Sequence, residues 1–438
     1  MGNYIPNTEE EQNEMLAAAG YKDFDDLFKT IPEELRLKSE LKLDEGKCEA
    51  EVSRIMRDMA EENKVFRYIY RGAGAYDHYI PAVVRSIVSK EEFVTAYTPY
   101  QPEISQGVLQ SIFEYQTGIC ELTGMAVSNA SVYDGGTAAA EALNMCKDRK
   151  RTSVLISSLV NPHVRSVMET YCFGTDTAHK LVPEKDGQTD TDALKKLLEE
   201  DEGIACVYIQ QPNFYGIFED ADKISEIVHA AGAKLIMGVN PIALGIMKSP
   251  GECGADVAVG DAQPLGMPLS FGGPYIGFMA CTEKLMRNLP GRIVGQTEDD
   301  KGERAFVLTL QAREQHIRRE KAGSNICSNE ALCALTAGAY LAAMGASGLA
   351  NAATQCMSKA HYLKDRLAEI GFKPVYDKEF FHEFVTGCPG DAKELMNKLE
   401  AEGILGGLPL EGNRILWCVT EKNTKEDMDR LAGLLSDI

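Results

Sequence analysis

Between residues 152 and 238 the chain switches repeatedly between runs suited to a strand and runs suited to a helix. Ser153 to Ile156 reads as strand and Pro162 to Cys172 as helix. His179 to Val182 follows as strand, Asp192 to Glu200 as helix and Ile204 to Ile209 as strand. Ala221 to Ala231 is then helical and Lys234 to Gly238 extended. Strands separated by helices predict a mainly parallel sheet covered on both faces, an α/β architecture. On such a sheet a ligand sits beyond the carboxyl ends of the strands. Three loops fall there: Gln210-Gln211-Pro212-Asn213, Val239-Asn240-Pro241 and the stretch from Gly254 to Phe278. No GxGxxG opens a βα unit and no GxxxxGK[ST] occurs, which disfavours dinucleotide and P-loop sites.

The third loop is the most informative. It opens on the apolar run Asp256 to Val259, passes Gly260, Gly266, Gly272 and Gly273, and reaches a second apolar run at Tyr275 to Phe278. In α/β enzymes that use pyridoxal phosphate (PLP), a loop in this setting carries the lysine that forms the Schiff base. No lysine lies between Lys248 and Lys284, and the loop reads Asp261-Ala262-Gln263. The setting of a PLP site is present and its covalent anchor is not. Upstream, Asp134-Gly135-Gly136-Thr137 leads into an alanine-rich helix, Ala138 to Cys146. A glycine pair at a helix start exposes N–H groups suited to a phosphate.

The flanks differ in character. The first 62 residues or so read as short acidic helices (Glu9 to Ala18, Asp25 to Phe28, Cys48 to Met59), an arm with too little apolar face for its own core. In Gly72-Ala73-Gly74-Ala75-Tyr76-Asp77-His78-Tyr79-Ile80-Pro81, two glycines among ring side chains suggest backbone held close to a surface, as packing or as a binding loop. Tyr97-Thr98-Pro99-Tyr100 is stiffened by proline, and Ser105 to Thr123 has helical spacing. Leu308 to Lys321 groups Arg313, His316, Arg318, Arg319 and Lys321, read as a solvated helix face or as a site for acidic groups. Helices are expected at Glu330 to Met344 and, with Ser347 as N-cap, up to Ile370. Strands at Phe372 to Tyr376, Phe384 to Thr386 and Arg414 to Val419, with helices at Asp391 to Glu402 and Lys425 to Leu435, predict a small α+β domain. The expected division is a helical arm over 1–90, a large α/β domain over 91–325 and the small domain over 326–438.

Net charge of -21 makes nucleic acid and anionic membrane improbable partners. The amino-terminal stretch has no signal-peptide pattern. Its Met1-Gly2-Asn3 opening lacks the basic cluster or second lipid signal that stable anchoring needs. No run of about 18 apolar residues is visible, so no membrane helix is expected. Twelve cysteines include no CxxC; Cys146, Cys206 and Cys333 read as buried reduced thiols, pointing to a cytoplasmic protein, and no metal site is predicted.

Four strings in order carry a resemblance: GAGAYDHYIP at 72–81, AYTPYQPEISQG at 96–107, YDGGTAAAEA at 133–142, and GRIVGQTEDDKGERAFVLTLQAREQHIRREKA at 291–322. With them the chain resembles the alpha subunits of the glycine-decarboxylating P-protein family of the glycine cleavage system, over nearly its whole length. The resemblance implies a PLP-dependent aminotransferase-like fold (fold type I). It implies a beta subunit that holds PLP on its lysine, and an alpha subunit whose own site has decayed. It also implies that the complex decarboxylates glycine, with PLP as electron sink, and passes the aminomethyl group to the lipoyl arm of H-protein.

On this resemblance Gln263, or a neighbour between Asp261 and Pro264, stands where the lysine would be, and an amide forms no imine. Asn240 stands where an aspartate would pair with the pyridinium nitrogen, and Thr137 where a histidine would stack on the ring. With Gly135 and Gly136 these make up the expected degenerate cofactor site. Residues expected to serve the partner's site are Tyr97, Tyr100, Ser324 and Asn325, with Tyr76, His78 and Tyr79 on the approach of the lipoyl arm. Interface packing is the alternative for each. Two rival readings stay open: a self-sufficient PLP lyase or aminotransferase using Lys248 or Lys284, and a non-catalytic assembly subunit.

Overall fold

The computed structural model describes residues 6–39 and 41–436; the Met1-Gly2-Asn3 opening lies outside the described residues. The chain divides into two compact units, Met1–Val65 and Phe66–Ile438. In the first, helices run over Glu9–Ala18, Phe24–Leu27 and Glu49–Glu61. Thr8 and Glu11 close a capping box: the Glu11 N–H donates to Thr8 Oγ1 at 3.3 Å, and the Thr8 N–H to Glu11 Oε2 at 2.7 Å. Among the described residues of this unit only Leu16 is a buried apolar side chain. Val52, Met56 and Met59 stay exposed at helical spacing.

The second unit is built on a seven-stranded sheet: β1 (Val127–Ser128), β2 (Ser153–Ser157), β3 (His179–Val182), β4 (Ile204–Gln211), β5 (Lys234–Val239), β6 (Val257–Asp261) and β7 (Gly277–Cys281). Their order is β1-β7-β6-β5-β4-β2-β3. Strands β2 to β6 are parallel; β7 runs antiparallel to β6, and β1 antiparallel to β7. Side chains alternate between two cores, as the pleat requires. Val207, Ile209, Leu235 and Met237 face one side, where they meet Ile119 of α1 (Pro102–Thr123), Leu194 of α4 (Thr191–Glu200), Ile224 of α5 (Ala221–Ala230) and Ala334 of α6 (Ala331–Glu369). Tyr208, Ile236, Val257 and Val259 face the other, against Leu143 of α2 (Gly135–Cys146) and Met168 of α3 (Pro162–Gly174). Each fully buried aliphatic side chain contributes about 1.5–3 kcal/mol, so polar residues are tolerated only where the strands end.

The carboxy-terminal part holds an antiparallel sheet of Glu383–Gly387, Arg414–Cys418 and Leu408–Leu410, with helices Ala392–Ala401 and Lys425–Ser436. Phe372, Phe384 and Leu431 pack with Trp417, whose Nε1–H donates to Thr386 Oγ1 at 2.9 Å.

Several expectations are corrected. Ile293–Glu298 and Arg304–Thr309 form a β-hairpin that runs into the segment read from Leu308 as a helix face, because Val294 and Phe306 bury against α1. Leu310 then breaks the chain at φ +51, and the basic residues share no helix face: Arg313 turns inward to the carbonyls of Leu289 and Gly291, while Arg318, Arg319 and Lys321 are exposed. The break expected between Met344 and Ser347 is present, since α6 is two helices joined across a kink at Gly345 (φ +61), but Ser347 lies within the second helix and does not cap it. Phe372 to Tyr376 is no strand, since Pro374 lacks a donor and forms only a bridge to Thr386. Cys146 and Cys206 are buried, but Cys333 is only half-buried. By length and composition α6 is also apolar enough to cross a membrane. Its buried Ala337, Tyr340, Ala353, Cys356, Ala360, Leu363 and Leu367 form a stripe facing the core, which is the behaviour of an amphipathic core helix.

Candidate functional site

A cavity of about 370 Å³ opens at the carboxyl ends of β4, β5 and β6. Gln210, Pro212, Asn213, Asn240, Pro241, Asp261 and Pro264 line it, so the three loops expected to carry the site do meet there. The floor is close-packed: a Cβ on Gly238 of β5 would lie 2.0 Å from the Tyr208 hydroxyl. Over the cavity runs the loop from Gly72 to Tyr76. At Gly74 φ is +118, and a Cβ there would meet Asn161 Nδ2 at 2.8 Å, so glycine is required both for the turn and for the contact.

The helix start is occupied by the chain's own acids. Asp134 caps α2, its Oδ1 accepting from the Thr137 N–H at 2.7 Å. Asp261 Oδ2 accepts from the Gly135 N–H at 3.2 Å, and its Oδ1 from the Gln263 N–H at 2.8 Å. Asp261 keeps some surface on the cavity and is otherwise enclosed. Burial pushes its carboxyl up to about 6 even though both N–H bonds favour the anion. From the carboxy-terminal sheet comes Glu383, whose Oε1 accepts from the Ala73 N–H at 2.6 Å and Oε2 from the Tyr76 hydroxyl at 2.8 Å. Burial raises it to about 7. Beside it His382 is only 2 % exposed, with neither ring nitrogen hydrogen-bonded. Burial, then the neighbouring His78 ring, push its pKa well below the usual imidazole value, so it is neutral.

Gln263 does not line the cavity. Its carboxamide is turned onto the overlying loop: Oε1 accepts from the Tyr76 N–H at 2.9 Å, and Nε2 donates to the carbonyls of Tyr76 at 2.9 Å and Met267 at 2.7 Å. Within the window from Asp261 to Pro264 it is Asp261 and Pro264 that face the cavity. Asn240 lines it, its Oδ1 accepting from the N–H groups of Ile242 and Ala243, its Nδ2 buried without a partner. Thr137 is absent from the wall. The imidazole rings that do reach it are His163, at the first turn of α3, and His382.

Tyr76 and His78 are buried; His78 Nδ1 pairs with Glu421 at 2.7 Å, and Tyr79 is 60 % exposed. The remaining partner-serving candidates lie away from the cavity. Tyr97 is almost fully exposed. Tyr100 carries the Arg292 guanidinium over its ring, 4.6 Å from the centroid. Ser324 and Asn325 border a separate depression with Glu141 and Arg319. The two lysines that might replace the anchor are also elsewhere: Lys248 pairs with Asp222 at 2.6 Å on the surface, and Lys284 lies in the turn Glu283–Leu285.

Sequence reading missed His163, His382 and Glu383. His163 follows Asn161-Pro162 at the end of a βα loop and was findable by position. His382 and Glu383 reach the cavity from a distant sheet, and no local pattern marks them.

These residues do not fit PLP. Among the described residues neither lysine nor arginine lines the cavity, and the carboxylates of Asp134 and Asp261 already hold the N–H groups at the start of α2 that would receive a phosphate dianion.

Residues 2–435 match the family model described as glycine cleavage system P-protein. The chain is 51% identical to the probable glycine dehydrogenase (decarboxylating) subunit 1 of Moorella thermoacetica, over 99% of each chain. It is 47% identical to the protein of that name from Desulfitobacterium hafniense, over 100% of each. It is also similar to a crystal structure of glycine decarboxylase (P-protein) of the glycine cleavage system in inhibitor-bound form, with TM-score 0.93, 41% identity and 100% of both chains covered. An alanine–glyoxylate aminotransferase from Nostoc sp., at TM-score 0.61 and 17% identity over 86% of this chain and 96% of that one, shares the fold. With a mainly parallel sheet, an aminotransferase-like topology and end-to-end similarity of sequence, the chain belongs to the P-protein family of the glycine cleavage system.

Proposed function

We propose that this chain is the alpha subunit (subunit 1) of a heteromeric glycine dehydrogenase (decarboxylating) and is inactive by itself. The observation that carries this reading is a family member whose strand-end cavity has, among the described residues, no lysine on its wall. Condensation with glycine through PLP needs an amine that can hold the aldehyde. A lysine-bearing beta subunit supplies that amine and the PLP, glycine is decarboxylated there, and lipoylated H-protein takes the aminomethyl group. This chain contributes surface and positioning. Tyr97, Tyr100, Ser324 and Asn325, remote from its own cavity, are the residues proposed to face the partner's site, and Tyr79 the approach of the lipoyl arm. Division into arm, large and small domains at about 90 and 325, and a cytoplasmic location, belong to the same proposal.

The test is reconstitution. The purified chain mixed with PLP should develop no internal-aldimine absorbance, and it should not exchange labelled bicarbonate into glycine. Adding the lysine-bearing partner and lipoylated H-protein should restore exchange. A borohydride-stable PLP adduct on the isolated chain would overturn the proposal.

A further inference from the structure

The cavity does not fit PLP, yet polar and charged groups are set into its mostly apolar wall. Asp134, Asp261 and Glu383 line it without a lysine or arginine. His382, 98 % enclosed by its 2 % exposure, lines it with both ring nitrogens unpartnered. Asn240 presents a buried Nδ2 that also lacks a partner. Buried polar groups are normally hydrogen-bonded, and each one left unmade is unfavourable. A neutral imidazole offers one donor and one acceptor. The wall therefore has negative charge to neutralise, a nitrogen that accepts and a carboxamide that donates.

From this we infer that the cavity binds a small organic cation: a primary ammonium compound bearing a hydroxyl or ether oxygen, and no carboxylate or phosphate. The ammonium supplies three donors and one positive charge, matching the carboxylates and the imidazole acceptor. The oxygen accepts from Asn240. A carboxylate or phosphate on the ligand would meet like charge with no basic residue to offset it. The volume of about 370 Å³ lies within the range of small-molecule sites.

Binding should depend on pH through Asp261 and Glu383, which ionise around 6 and 7 in the free protein. Around Asp261 stand the Asp134 carboxylate and the side chains of Tyr115, Tyr275 and Cys333. Around Glu383 stand the Tyr76 hydroxyl and the Cys418 thiol. Burial raises all five of these tyrosine and cysteine groups, so none of them ionises in competition near neutrality. A bound cation favours both carboxylates, so protons leave on binding, and affinity falls as the medium is acidified.

The inference shares one premise with the proposed function, that PLP does not occupy this cavity; an absorbance titration with PLP tests that premise separately. The inference itself is tested by calorimetric titration of the full chain with ethanolamine hydrochloride against matched sodium chloride. The expected result is saturable one-site binding at pH 8, weakened about tenfold for each carboxylate protonated as pH falls to 5.5. Asp261→Asn and, separately, Glu383→Gln should each weaken binding about tenfold, with folding checked by circular dichroism. Glycine and inorganic phosphate should not compete. Absence of saturable ethanolamine binding at pH 8 overturns the inference. So does binding that both variants retain in full, or competition by phosphate. A chain that binds neither ethanolamine nor PLP would leave the proposed function standing and remove this inference alone.

Discussion

Gln263 shows how one side chain can occupy a catalytic-looking position and do something else. Its three hydrogen bonds clamp the loop at Tyr76 and the turn at Met267, all out of water. Gln263→Leu keeps the volume and removes every one of them, leaving buried N–H and C=O groups of the backbone unpaired. At about 1 kcal/mol per bond the expected loss is about 2–4 kcal/mol, read as a lower urea midpoint with unchanged slope. Loss below about 0.5 kcal/mol would mean the clamp is replaced by water. The same geometry predicts that Gln263→Lys forms no aldimine with PLP, because position 263 faces the loop and not the cavity.

At the scale of the element, the loop over the cavity is held from the carboxy-terminal part. Glu421 accepts from the Tyr79 N–H at 2.6 Å and pairs with His78 at 2.7 Å. Burial would raise its pKa, but the hydrogen bond and charge of His78, with the Tyr79 N–H and the Cys356 thiol, outweigh burial and bring it to about 2. A carboxyl depressed in the folded state adds stability above its unfolded pKa, near 4.5, and that stability is lost as pH falls toward 2. The fall corresponds to about 3 kcal/mol. Urea midpoints between pH 5 and pH 2 should therefore drop more steeply for the natural chain than for Glu421→Gln, by about that amount. Equal slopes would show that the pair is not formed in solution.

At the scale of the molecule, the described residues among the first 65 contribute one buried apolar side chain, while Leu35, Leu37, Leu41, Leu43 and Met56 are exposed. Exposed apolar surface of this kind is what a contact with another chain would bury, which the proposed subunit role predicts. A fragment of residues 66–438 should keep a cooperative thermal transition within about 3 °C of the full chain, and should fail to co-purify with the proposed beta subunit. Retained assembly by the fragment would assign the contact elsewhere.

Much of this was written locally. Strand and helix periodicity determined the βα alternation, its parallel sheet and the loops that meet at the strand ends, because burial on both faces imposes a pattern on each segment by itself. The missing lysine was equally plain from the chain between Lys248 and Lys284. The hairpin at Ile293–Glu298 was hidden because its burial depends on α1, far away in sequence. Which way Gln263 turns, and the arrival of His382 and Glu383 from another sheet, were decided only by tertiary packing. Contacts between distant segments leave no trace in the periodicity of either one, so the cavity's position was readable in the sequence, while the carboxylate and imidazole that Glu383 and His382 bring to it were not.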